Sequence, residues 1–202
     1  MALVKYNNRS ILNVTALDSV PSGGMNLITT NTISSGVSSS SFTSNIDSTY
    51  DTYMFKVVNV HPASDAVEFT FNLSTDGSNF NVTKTTVAFR ALHDEGDSET
   101  SFVYQTGSDL AQSTGYQTLC QYVGNGGDEC CVATIFLFNP SNTTFVKHFI
   151  SRGNSYYANN KTSSDFISGY GNTTSAITAV DFKFSSGNID SGVIKMYGLS
   201  KS

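Results

Sequence analysis

The densest group of reactive side chains is the run His93-Asp94-Glu95-Gly96-Asp97-Ser98-Glu99, with four carboxylates and an imidazole around one glycine. Closely spaced oxygens of this kind suit a hard cation such as calcium. The spacing is not that of an EF-hand loop, and acidic loops are ordinarily solvated, so no metal ligand is assigned there. His61, His93 and His148 stand singly, without HxH or HExxH spacing, and no Gly-x-Ser-x-Gly elbow occurs. Nothing selects a pair from the 16 acidic residues for glycoside chemistry. The chain is read as non-enzymatic, with no catalytic residue, cofactor or metal.

A binding role has one candidate stretch, Asn154-Ser155-Tyr156-Tyr157-Ala158-Asn159-Asn160. Tyr with Asn is the composition of adaptable recognition surfaces and of sugar platforms. Tyr156, Tyr157 and Asn159 are therefore the candidate glycan or host contacts, beside the plainer reading of a hydrated loop with its rings packed on a sheet. Asn-x-Ser/Thr recurs along the chain, but in a sequence so rich in Ser and Thr the motif carries little weight. Cys120, Cys130 and Cys131 form an odd set. A turn at Gly124–Gly127 would set Cys120 across from Cys131, yet the expectation is buried free thiols, without a disulfide or a zinc site.

Composition bounds the rest. At 202 residues the chain can build one substantial core. Charged residues are only 13%, Trp is absent, and 14 Phe with 10 Tyr carry the large apolar bulk. Those are strand-favouring types. A net charge of -5 speaks against nucleic acid, which needs clustered Lys and Arg. No run approaches the roughly 18 apolar residues of a membrane helix, and ILNVTAL is too short and broken for a signal core.

The elements that must position these residues read as strands. In Asp51–Gly77 the alternation Val67, Phe69, Phe71, Leu73 against Glu68, Thr70, Asn72, Ser74 is a two-residue period. Two such runs around His61–Ala66 predict a hairpin. A second hairpin is predicted for Tyr116–Val123 with Cys130–Asn139, whose VATIFLF is apolar on both faces. Further strands are expected at Met25–Thr30, Ser39–Thr43, Phe80–Leu92, Thr144–Ser151, Phe166–Tyr170, Ala179–Phe184 and Gly192–Leu199, with Asn154–Asp165 a loop. Asn45-Ile46-Asp47-Ser48 recurs as Asn188-Ile189-Asp190-Ser191, read as a repeated turn. The fold expected is an all-β antiparallel sandwich, jelly-roll-like, over residues 25–202. Its core should include Phe55, Val67, Phe69, Phe71, Phe136, Phe138, Val180 and Phe182. Residues 1–24 differ, holding an apolar set without alternation that ends in Pro21-Ser22-Gly23-Gly24. This is read as a docking arm and hinge, with Leu3, Tyr6, Ile11, Leu12 and Leu17 as the contacts, on the body or on a neighbouring chain.

A family resemblance enters through longer stretches. SFTSNIDSTYDTY (41–53) continuing into VVNVHPASDAVEFTF, the opening ALVKYNNRSI, FNPSNTTFVKHF (138–149) and the ending SSGNIDSGVIKMYGL resemble structural proteins of tailed bacteriophages. They are especially similar to those of marine phages infecting cyanobacteria and other ocean bacteria. The resemblance implies a virion component and brings no catalytic or metal residues with it. It implies other virion proteins of capsid or tail as partners, a homo-oligomer, and a place on the virion surface after assembly in the bacterial cytoplasm. The leading expectation is a capsid decoration or knob protein held by the arm. A tail or fibre component touching the host, or a carbohydrate-binding module, are the alternatives; heptads and shaft repeats of long fibres are absent from the sequence.

Overall fold

The computed structural model describes residues 24–199. Among them are twelve β-strands and no helix. The strands are β1 (Met25–Ile33), β2 (Ser40–Phe42), β3 (Thr52–Pro62), β4 (Val67–Ser74), β5 (Lys84–Asp94) and β6 (Thr100–Tyr104), followed by β7 (Gln117–Val123), β8 (Cys131–Phe138), β9 (Lys147–Tyr157), β10 (Lys161–Gly171), β11 (Ala179–Phe184) and β12 (Ile189–Leu199). All pairings are antiparallel. The expected all-β antiparallel sandwich is therefore the observed class.

Eight strands make one layer in the order β1-β12-β3-β8-β9-β10-β5-β6, and four make the other in the order β7-β4-β11-β2. The layers join where Val123 of β7 pairs with Tyr157 of β9, so the whole is one sheet folded nearly into a barrel. β9 shows why the fold closes on one side only. Its inner residues Lys147, Phe149, Ser151, Gly153 and Ser155 are buried, and the residues between them are exposed. Gly153 is required at that crossing, because a Cβ there would lie 2.6 Å from both the Cys120 sulfur and the Leu119 carbonyl oxygen.

The core is aromatic. Phe55 of β3 meets Phe182 of β11 across the layers at 5.5 Å between ring centroids, and Phe71 of β4 meets Phe149 of β9 at 5.0 Å. Phe55, Val67, Phe69, Phe71, Val180 and Phe182 are buried as expected. Phe136 and Phe138 are not: Phe136 is half-buried and Phe138 is 36% exposed, while Ala133, Ile135 and Leu137 of the same strand face inward. A strand apolar on both sides leaves its register undetermined, since a shift of one residue exchanges the faces.

Three connections also differ from expectation. β3 and β4 are not a hairpin: β3 pairs with β12 and β8, and β4 with β11 and β7. The link 63–66 instead arches between layers, with Ala66 at φ 54°. β7 and β8 likewise belong to different layers rather than to a shared ladder. Alternation reports which face a residue takes and carries no information about the neighbouring strand. The expected loop Asn154–Asp165 is the tip of a β9–β10 hairpin, turned by Asn159 and Asn160 at φ 79° and 59°. The second Asn-Ile-Asp-Ser copy is more than a turn, because Ile189 opens β12 and is fully buried.

This inside–outside assignment has a direct check by chemical denaturation. Phe182→Ala should cost about 3–5 kcal/mol, and Phe138→Ala a small fraction of that; equal losses would put Phe138 in the core.

Candidate functional site

At one end of the eight-stranded layer, the β9–β10 hairpin, the end of β5 and the loop before β8 surround a cleft of about 370 Å³. His93, Glu95, Asp128, Asn154, Tyr156 and Lys161 are among its walls. The register explains the grouping, since Thr162 lies between Tyr156 on one side and His93 on the other. Two stretches that sequence reading treated separately, the acidic loop and the tyrosine stretch, thus form one site.

The Glu95 carboxylate accepts a hydrogen bond from the Tyr156 hydroxyl at 3.1 Å, and the Glu95 N–H donates to the Asn160 carbonyl at 3.0 Å. The same hydroxyl stands 3.1 Å from the Asn160 side-chain oxygen. Partial desolvation, then the bond to Glu95 and the negative charge of Glu95, Glu129 and Asp128, raise the Tyr156 phenol above its ordinary value. At the rim Lys161 is paired with Glu99 at 2.5 Å, and His93 with Asp97 at 3.2 Å.

Asp94 is committed to the loop itself. Its oxygens accept from the Ser98 N–H, the Ser98 hydroxyl and the Glu99 N–H, which hold its carboxyl down near 2. No group of three or more metal-ligating side chains is found among the described residues. The cleft therefore offers a phenol edge, carboxylates and an apolar floor at Val132, a surface suited to hydroxyl groups on a ligand.

Tyr157 does not join Tyr156, because successive strand residues take opposite faces. It turns toward the junction of the layers, where its ring lies 5.0 Å from Tyr122 with the Arg90 guanidinium 5.3 Å above it. Asn159 is exposed at the hairpin turn. Leu3, Tyr6, Ile11, Leu12 and Leu17 fall outside the described residues. Cys120 and Cys131 are buried free thiols and Cys130 is half-buried. Cys131 beside it, together with burial, pushes the Cys120 thiol well above its ordinary value.

Two features went unread in the sequence. One is a polar cluster inside the barrel: Arg90 donates to the Gln121 side-chain oxygen at 3.0 Å, and Gln121 in turn donates to Asp165 at 3.1 Å. Burial raises the Asp165 carboxyl to about 6, against the lowering effects of Ser163, Gln121 and Arg90. The other is the outer face of the eight-stranded layer. Phe166 stacks on Phe89 at 4.9 Å, Arg152 lies 5.1 Å over Phe166, and Phe102 packs on Phe89 at 5.6 Å. Phe102 is 71% exposed, Tyr104 53% and Ile150 52%. No family model, curated protein or solved structure matches the chain.

Two outcomes are expected. The folded Asp165 binds its proton more tightly than the unfolded one, so its contribution is intact below pH ~4 and is lost as pH rises through ~6. Thermal melts of Asp165→Asn should lack that decline, and an unchanged profile would refute the assignment. Calcium should leave the melting temperature unchanged, because the Asp94 oxygens are already occupied; a clear rise abolished by Asp94→Ala with Asp97→Ala would make the loop a cation site.

Proposed function

We propose that this chain is a non-enzymatic structural protein of a phage virion, a capsid decoration or knob subunit displayed on the particle. The observation that carries the reading is the outer face of the eight-stranded layer. Cross-strand neighbours run Lys195, Lys56, Thr134, Arg152, Phe166, Phe89, Tyr104, so a basic half adjoins an aromatic half. Val87, Phe102, Phe138, Phe145 and Ile150 extend the exposed apolar surface. Exposed apolar side chains gathered on one face are characteristic of surfaces that meet a partner. The resemblance of the sequence to phage structural proteins supplies the partner class, neighbouring copies and other virion proteins. The segment 1–24 is the proposed anchor.

A second reading, host contact by a tail component or a carbohydrate-binding module, is favoured by the cleft at Tyr156 and Glu95. Its test is separate: an isolated protein that binds glycans or host envelope, and loses binding with Tyr156→Ala, would replace the structural role with recognition.

Antibody raised against the chain should decorate the heads of purified particles in immunogold microscopy. Unlabelled particles would overturn the virion reading, and label confined to tails would select the alternative location. Deleting residues 1–20 should leave a folded body that no longer enters particles. A truncated protein that still decorates them would remove the arm from the mechanism.

A further inference from the structure

We propose that Asn72 and Lys84 are joined by an isopeptide bond that the folded chain forms by itself. Both residues are fully buried. Lys84 Nζ lies 2.5 Å from Asn72 Oδ1 and 2.7 Å from the Val82 carbonyl oxygen. One carbonyl bond separates Oδ1 from Cγ, so the amine stands at most about 3.7 Å from the carbon it would attack. That bound lies close to the roughly 3–3.5 Å of a near-attack arrangement and is reached without any further closure of the chain.

The amide is fixed on every side. Asn72 Nδ2 donates to the Phe80 carbonyl at 2.6 Å and to the Thr114 carbonyl at 3.0 Å. Oδ1 also accepts the Leu73 N–H at 2.9 Å. That N–H is aimed at the atom on which negative charge develops when a nucleophile adds to Cγ, the arrangement that stabilises an oxyanion. Both acceptors around the amine are neutral carbonyl oxygens, which do little to hold an ammonium in a dry site. Burial accordingly lowers the Lys84 amine to about 8, so about a tenth of it is unprotonated at pH ~7.

The chemistry balances within the site. The Nζ lone pair forms the bond to Cγ, the Cγ–Nδ2 bond breaks, and a proton passes from Nζ to Nδ2, which leaves as ammonia. No oxidant or external group is consumed. Asp181 stands directly opposite Asn72 in the register and is buried, its carboxylate engaged by other donors. Ser41 and Tyr116 hold its carboxylate at 2.5 and 2.9 Å. The product would tie β4 to the start of β5 by a covalent link between side chains.

Mass spectrometry of the full chain, denatured after folding, tests the bond. The expected result is a mass below that of the sequence by one ammonia. Tryptic digestion should give a branched peptide joining Asn72 to Lys84, with no cleavage after Lys84. Lys84→Met and Asn72→Leu should each show the full mass of their own sequences. Should either variant fail to fold, the native chain alone decides. Full mass with separate linear peptides overturns the proposal, and so does an ammonia loss whose fragments place it at another residue.

Discussion

Phe182 lies within 6.4 Å of four other phenylalanine rings: Phe42 of β2, Phe55 of β3, and Phe69 and Phe71 of β4. Those rings come from both layers, so closing the eight-stranded layer over the four-stranded one depends on this contact. A ring this size can bury about 150–250 Å², so five rings packed together are a large apolar contribution to this part of the core. With no tryptophan in the chain, phenylalanine supplies the largest apolar side chains between the layers, alongside core leucines and isoleucines.

Away from that cluster the interior becomes polar. β9, β10 and β5 turn Lys147, Ser151, Ser155, Ser163, Asp165, Lys84 and Thr86 inward, all of them buried. Unpaired burial of such groups costs several kcal/mol, and apart from the Ser151 hydroxyl they are satisfied locally. Thr86 donates to Gln117, and Gln117 donates onward to the Ser108 carbonyl. Lys147 donates to the carbonyls of Phe145 and Thr173, and its desolvation lowers its proton affinity. The second half of the barrel is thus held by directional bonds where the first is held by ring packing. Such a lining constrains register more strictly than an apolar one, since its hydrogen bonds are directional.

The outer face and the end cleft follow from the same division. An eight-stranded layer opposed by only four strands has more outer surface than its core requires, and the aromatic field around Phe89 and Phe166 occupies that surface. The cleft forms where the β9–β10 hairpin runs past the point at which β7 joins. There Tyr156 turns outward to the acidic loop and Tyr157 turns inward to Tyr122 and Arg90.

Period-two alternation, sparse charge and Phe/Tyr bulk were sufficient in the sequence to define an all-β antiparallel sandwich. They also placed Phe55, Phe69, Phe71 and Phe182 in its core. Alternation acts through side-chain direction, which is local, and so it is legible from neighbours in the chain. Partner choice is not local. Whether β3 meets β4 or β12, whether Phe138 or Leu137 faces inward, and whether 154–165 is loop or hairpin were decided by long-range pairing. The same holds for the meeting of Glu95 with Tyr156, 61 residues apart, and for the approach of Lys84 to Asn72. Only the closing of one layer over the other brings such groups together, because the energy that selects those contacts comes from packing that no isolated segment possesses.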